Sequence, residues 1–261
     1  PCAVQAIKIT LFQRIHMKNL IAGNWKLKGS PNLADSYISH LSKTKPDNCA
    51  VVVCPTFDLL EYICDKWLSE FGHLGVQDCF HEDTNYNDGL GTPDEIVSKG
   101  ATYIILGHSD RRNKCHETSE LVRKKVNLAW DKSLIPIVCV GEKSEDRKGN
   151  LTQVVVNGQI INSIDFDNLR GPFVIAYEPV WAIGSGNTPT MEEIGEVHDE
   201  IRKLLVDLTC PTRGNNIPLL YGGSADDQNA GSILSVENVN GLLIGGASLD
   251  IQKFGAIIEC A

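Results

Sequence analysis

Eight short apolar runs, each followed by a longer polar or amphipathic segment, recur from residue 20 to the C-terminus with no linker and no low-complexity tract. The runs fall at residues 20–22, 50–53, 74–76, 103–106, 135–140, 173–177, 217–221 and 241–244. Ala50-Val51-Val52-Val53 shows their type: unbroken and β-branched, as a parallel strand buried on both faces requires. Pro136 is tolerable near a strand start. Between them, the spacing of apolar residues predicts helices over 33–41, 59–71, 94–98, 117–130, 151–164, 192–208, 225–234 and 251–258. Repeated βα units demand a parallel sheet, and eight of them in about 250 residues fit a closed (β/α)8 TIM barrel of a single domain. An open doubly wound sheet would usually carry a Gly-rich dinucleotide turn after its first strand. Here that strand runs into Gly23-Asn24-Trp25-Lys26, which lacks the fingerprint.

The barrel is expected over 17–261. Residues 1–16 contain no acid and two cations, Lys8 and Arg14, and read as an appended extension ahead of Met17. A targeting peptide would be richer in Arg and Ser.

Charge removes several functions. The net charge of −9 argues against a nucleic-acid binder, which needs a basic face. No apolar run approaches the length of a membrane span. Nine scattered cysteines without a Cys-x-x-Cys pair read as thiols in a reducing cytosol, with neither a disulfide framework nor a metal site.

In a (β/α)8 barrel the chemistry collects at the C-terminal ends of the strands. The first strand ends in Asn24 and Lys26, and the fourth in Gly107-His108-Ser109-Asp110-Arg111-Arg112. The sixth ends in Glu178, the seventh in Tyr221-Gly222-Gly223-Ser224, the eighth in Gly245-Gly246-Ala247-Ser248. Each has a bland alternative. Glu178 could be a solvated acid in a surface turn, His108 a structural histidine, Lys26 a solvated cation, and the Gly-Gly pairs plain tight turns. Arg111 and Arg112 are expected in structural ion pairs, and Trp181 could serve the core instead of a lid. Five strands would have to reach the same end by unrelated accidents for all of these to hold. The chemistry that uses them together is phosphate binding with proton transfer. Backbone N–H groups at the Gly-rich turns approach a phosphate, and Lys26 supplies a full positive charge. Glu178 removes a proton beside a carbonyl, while His108, Asn24 and Lys26 hold the developing oxyanion. Only protons move, so no metal, redox or other cofactor is called for.

Asn24-Trp25-Lys26, Gly107-His108-Ser109, the run from Ala176 to Gly184, Tyr221-Gly222-Gly223-Ser224 and Gly245-Gly246-Ala247-Ser248 stand in the order and at about the spacing of the triosephosphate isomerase motifs. The chain resembles that family from Met17 onward. The resemblance implies interconversion of dihydroxyacetone phosphate and glyceraldehyde 3-phosphate through an enediolate, in the cytoplasmic reactions of glycolysis and gluconeogenesis. It assigns the proton shuttle to Glu178 and carbonyl polarisation to an uncharged His108. Asn24 and Lys26 stabilise the enediolate and bind substrate. Amides of Gly184, Ser224, Gly245 and Gly246 hold the phosphate, residues 179–187 close over it, and Ser109, Asp110 and Tyr221 support the site. It also implies a homodimer joined through the 78–92 loop. Two positions depart from the family pattern. Asp110 stands where glutamate is usual and could loosen the grip on Lys26. Asp88-Gly89-Leu90 stands where Thr-Gly-Glu is common, so the dimer contacts there must differ. This altered loop leaves room for a related isomerase acting on four-carbon keto-phosphates (tetrulose phosphates). A barrel retained for binding without catalysis should not keep Asn24, Lys26, His108 and Glu178 together.

Overall fold

The apolar runs form strands because both of their faces are covered. In the computed structural model β1 (Asn19–Asn24), β2 (Cys49–Cys54), β3 (His73–Val76), β4 (Tyr103–Leu106), β5 (Ile135–Val140), β6 (Val174–Tyr177), β7 (Leu219–Tyr221) and β8 (Gly241–Ile244) follow one another around a closed barrel. All neighbours are parallel, and β1 closes on β8 with Leu20 beside Gly241 and Gly23 beside Ile244. The structure describes residues 19–44, 46–67, 71–81, 89–183 and 188–261. The 1–16 extension, Met17, Asp88 and the glycines of the 184–186 stretch lie outside the described residues.

Alternation along each strand divides the core in two. Leu20, Ala22, Val52, Cys54, Tyr103 and Ile105 point into the barrel and pack on one another. Ile21, Val51, Val53, Ile104 and Leu106 point outward against the helices. Period-2 geometry sends successive side chains to opposite faces, so an unbroken apolar run fills both compartments. Burial of such side chains contributes about 1.5–3 kcal/mol each.

The helices are α1 (Pro31–Thr44), α2 (Phe57–Cys64), α3 (Pro93–Ser98), α4 (Ser109–Lys114), α5 (Ser119–Asp131), α6 (Ser144–Lys148), α7 (Thr152–Ser163), α8 (Met191–Leu208), α9 (Pro211–Gly214), α10 (Ala230–Leu234) and α11 (Ile251–Glu259). The long ones start where the sequence has caps. Thr190 accepts from the Glu193 N–H while Glu193 accepts from the Thr190 N–H, a closed capping box. Two predicted helices are shorter than their periodicity suggests. The 59–71 pattern ends as helix at Cys64, because the apolar residues beyond it, Trp67 and Phe71, pack edge to face on each other outside the helix. The 225–234 pattern begins as helix only at Ala230. Asp226 and Asn229 exchange side-chain bonds with each other's backbone N–H, which fixes a turn there instead.

Candidate active site

The strand ends named from sequence meet around one cavity of about 180 Å³, walled by Asn24, Lys26, His108, Glu178, Ile183, Gly222, Gly223, Ser224, Ala225, Leu243, Gly245 and Gly246. Ligand cavities for drug-sized molecules run from about 300 to 1,000 Å³, so this one suits a metabolite of few atoms.

Lys26 is the second residue past β1, after Trp25, and adopts a left-handed φ of 48°. That conformation costs free energy for a residue with a Cβ and has to be held by its surroundings. Two side chains hold it. Asn24 Oδ1 accepts the Lys26 N–H at 3.0 Å, and Gln77 Nε2 donates to the Lys26 carbonyl at 2.8 Å. Gln77 also donates to the Cys54 carbonyl, tying the ends of β1, β2 and β3 together. The Lys26 ammonium lies 3.0 Å from Asp110 Oδ2. The shorter acid therefore still reaches Lys26. Lys114 and Lys26 hold the Asp110 carboxyl down to about 2.

His108 caps α4, and its Nδ1 accepts the Asp110 N–H at 3.1 Å. An imidazole nitrogen that accepts carries no proton, so the ring is neutral with its proton on Nε2. For the same reason the 3.6 Å approach of Nδ1 to Asp110 Oδ2 is not an ion pair. Nε2 lies 3.0 Å from Glu178 Oε1. The second oxygen of Glu178 accepts the Ser109 N–H at 2.8 Å. Glu178 is 2% exposed and reaches its place because β6 is hemmed in by its neighbours. Its N–H donates to the Val140 carbonyl, and Gly222 N–H donates to the Tyr177 carbonyl. A Cβ on Gly141 would sit 1.7 Å from the Glu178 carbonyl oxygen, and one on Gly222 would sit 3.0 Å from Glu178 Cγ. Glycine is required at 141 by close approach of backbone, and at 222 a side chain would crowd Glu178.

Ser224 braces the 179–183 segment. The Ser224 hydroxyl meets the Ala182 carbonyl at 3.4 Å, and Tyr221 presents a buried hydroxyl beside Gly223 that has no hydrogen-bond partner among the described residues. Gly245 opens the turn after β8, and Lys26 Cε is the nearest atom to a Cβ built there, at 3.8 Å. Gly184 lies outside the described residues.

The expected ion pairing of Arg111 and Arg112 holds for one of them. Arg111 Nε contacts Asp78 at 2.7 Å, at an angle too oblique for a hydrogen bond. Arg112 instead donates to the Gly107 and Cys139 carbonyls. Trp181 is half-buried, with Nε1 on Glu142 Oε1 at 2.8 Å and the Arg147 guanidinium 5.3 Å from its ring.

Three neighbours escaped the sequence reading: Gln77, Glu142 and Cys139. Gln77 follows β3 and Glu142 follows β5, so inspecting all eight strand ends would have found them. Glu142 is fully buried and accepts from Trp181, Tyr177 and Thr152. Burial pushes its carboxyl above the usual carboxylate range, against those hydrogen bonds. Cys139 lies on the inner face of β5. Burial first, and the charge of Glu178 second, push its thiol up.

A closed parallel barrel with an acid, a neutral imidazole and an ammonium at one end is a (β/α)8 barrel with an acid–base site at its strand tips. The chain belongs to the triosephosphate isomerase family: the family model described as "Triosephosphate isomerase" matches residues 19–261. Proteins of that name are similar to it along almost their whole length. The one from Jannaschia sp. (strain CCS1) is 41% identical, over 92% of this chain and 97% of its own. The one from Granulibacter bethesdensis is 39% identical, over 94% and 100%. The one from Clostridium botulinum (strain Langeland) is 37% identical, over 92% and 98%.

Proposed function

We propose that this protein interconverts dihydroxyacetone phosphate and D-glyceraldehyde 3-phosphate. The observation that carries the reading is Glu178, 3.0 Å from the protonated nitrogen of a neutral His108, in a small cavity that also holds Lys26 and the Gly-rich turns. The substrate carbonyl takes the His108 Nε2–H. The carboxylate leaves the Ser109 N–H for the carbon beside that carbonyl, removes its proton, and returns it to the neighbouring carbon, while His108 gives its Nε2 proton to the carbonyl oxygen and takes back the proton of the adjacent hydroxyl. Charge gathers on the oxygens in between, where Nε2–H, Asn24 and the Lys26 ammonium meet it. Preorganised donors of this kind contribute most where water is excluded, and Ile183 and Leu243 keep the wall beside Glu178 apolar. Lys26 with the turns of Ser224, Gly245 and Gly246 receives the phosphate. Each relative described above carries the triose name, and the cavity is small, so the four-carbon alternative has no support.

The test is a coupled assay in both directions without added metal or nicotinamide on the isomerase itself, comparing the wild type with Glu178→Gln. A general base is worth about 10²–10⁴-fold, and a loss in that range is expected. Equal rates would remove Glu178 from the role of base.

The same reading includes a cytoplasmic homodimer. Among the described residues no helix is long and apolar enough to cross a membrane. The base of the 78–92 loop is closed by the Phe80 N–H on the Gly91 carbonyl, and the ring of Phe57 packs against Gly91. Beside the site Leu27 is 89% exposed, an apolar side chain suited to a subunit contact.

A further inference from the structure

Lys114 lines no part of the cavity, yet it touches the group that holds Lys26. Asp110 divides its carboxylate between two ammoniums: Oδ2 lies 3.0 Å from Lys26 Nζ and Oδ1 lies 2.7 Å from Lys114 Nζ. Lys114 stands one turn after Asp110 on the six-residue α4 and reaches it from the solvent side. Lys26 comes from the opposite side, on the turn that follows β1. The terminal torsion of an aspartate is broad and roughly two-fold, so a single contact leaves the carboxylate free to turn. A second cation on the other oxygen removes that freedom. The backbone of Lys26 is already fixed by Asn24 and Gln77, so its ammonium is the part still to be placed.

We propose that Lys114 is a positioning residue: by pinning Oδ1 of Asp110 it keeps Oδ2 on Lys26, and so keeps the Lys26 ammonium where phosphate and enediolate oxygens need it. The inference rests on the function proposed above. Its chemical consequence is that a residue in the last turn of α4, outside the cavity, controls affinity for the phosphorylated substrate. The rival reading is an ordinary exposed i,i+4 ion pair that ornaments a helix, or a cation acting only through its field.

The experiment is a double-mutant cycle on the intact protein with Lys114→Met and Asp110→Glu, measuring kcat, KM and Tm. Exposed pairs are worth at most about fivefold in an equilibrium constant, so Lys114→Met should raise KM and lower kcat/KM about three- to fivefold, with Tm moving by less than about 2 °C. In the Asp110→Glu background the longer side chain reaches Lys26 without the clamp, and Lys114→Met should then change kcat/KM by less than about 1.5-fold. Equal losses in both backgrounds would mean a field effect and overturn the positioning role. No loss in either would leave an ornamental pair and overturn it too. The Lys26 ammonium 1H–15N signal gives a readout independent of catalysis. It should persist in the wild type, broaden in Lys114→Met and return in the double variant. An unchanged signal in Lys114→Met overturns the inference, whereas an inactive wild type with the expected signals would overturn only the proposed function.

Discussion

His198 shows how one residue sets the acid limit of this fold. It sits fully buried on α8, edge-on to the Tyr177 ring, with Nδ1 3.2 Å from the Asn238 carbonyl and Nε2 without a partner among the described residues. Burial pulls its imidazolium down from 6.5 to about 4. Protonation is thus opposed in the folded state and free in the unfolded one. Between about pH 6.5 and 4 the unfolded chain binds the extra proton, so stability falls as pH falls through that window, by about 3 kcal/mol in all. Urea midpoints measured across the window should show this slope, and His198→Asn should flatten it. An unchanged slope in the variant would assign the acid loss to other groups. No motif marks His198 in the sequence, because burial of a helical histidine depends on what packs over it. Glu178, His108, Asn24 and Lys26 were legible for the opposite reason: each directly or almost directly follows an apolar run, and the barrel rule fixes that end as the site. Gln77 obeys the same rule, but β3 is a four-residue strand whose apolar run, Leu74-Gly75-Val76, is broken by a glycine and marks its end weakly.

At the scale of elements, the strands were readable and α4 was not. Ser-Asp-Arg-Arg-Asn-Lys has no apolar periodicity, and it is helical because His108 caps it and its neighbours hold it by charge. The clamp is a buried cluster behind the site. Lys125 of α5, 1% exposed, bonds both oxygens of Asp78 at 2.7 and 2.8 Å and Glu117 at 2.5 Å, while Arg111 of α4 adds a second cation. Asp78 follows Gln77 in sequence and Arg111 follows Asp110, so the cluster joins the two segments that steady Lys26. Removing one partner of a buried charge set leaves the others uncompensated, at about 3–5 kcal/mol. Lys125→Met should therefore lower the unfolding free energy measured by urea titration by that amount and Tm by about 10 °C. Converting Asp78 to Asn and Glu117 to Gln in the same protein should recover most of the loss, since no bare carboxylate then remains and Arg111, 32% exposed, still reaches water. If the single variant is as stable as the wild type, the cluster carries no stability. If the triple variant stays as unstable as the single one, shape rather than charge was lost.

At the scale of the whole molecule, a barrel places its catalytic groups on its strand tips, and here the turn after β1 also carries an outward-facing apolar side chain. Trp25 is completely buried beneath that turn, Lys26 faces the cavity, and Leu27 projects outward at 89% exposure. Burying a leucine of this kind gains about 1.5–3 kcal/mol, and a contact spread over about 800 Å² per partner makes a stable pair. A partner seated there would brace the strained Lys26 backbone from the side that Asn24 and Gln77 do not cover. Assembly and catalysis would then be coupled, although each subunit has its own Glu178 and His108. Leu27→Glu puts a charge on the exposed apolar side chain that the proposed dimer would bury. It should sediment as a monomer at micromolar concentration and lose kcat/KM, while its Tm becomes independent of concentration. The wild type should sediment as a dimer and its Tm should rise with concentration. A wild type that sediments as a monomer at full activity would show that β1 and its turn hold Lys26 unaided, and would remove the dimer from the mechanism.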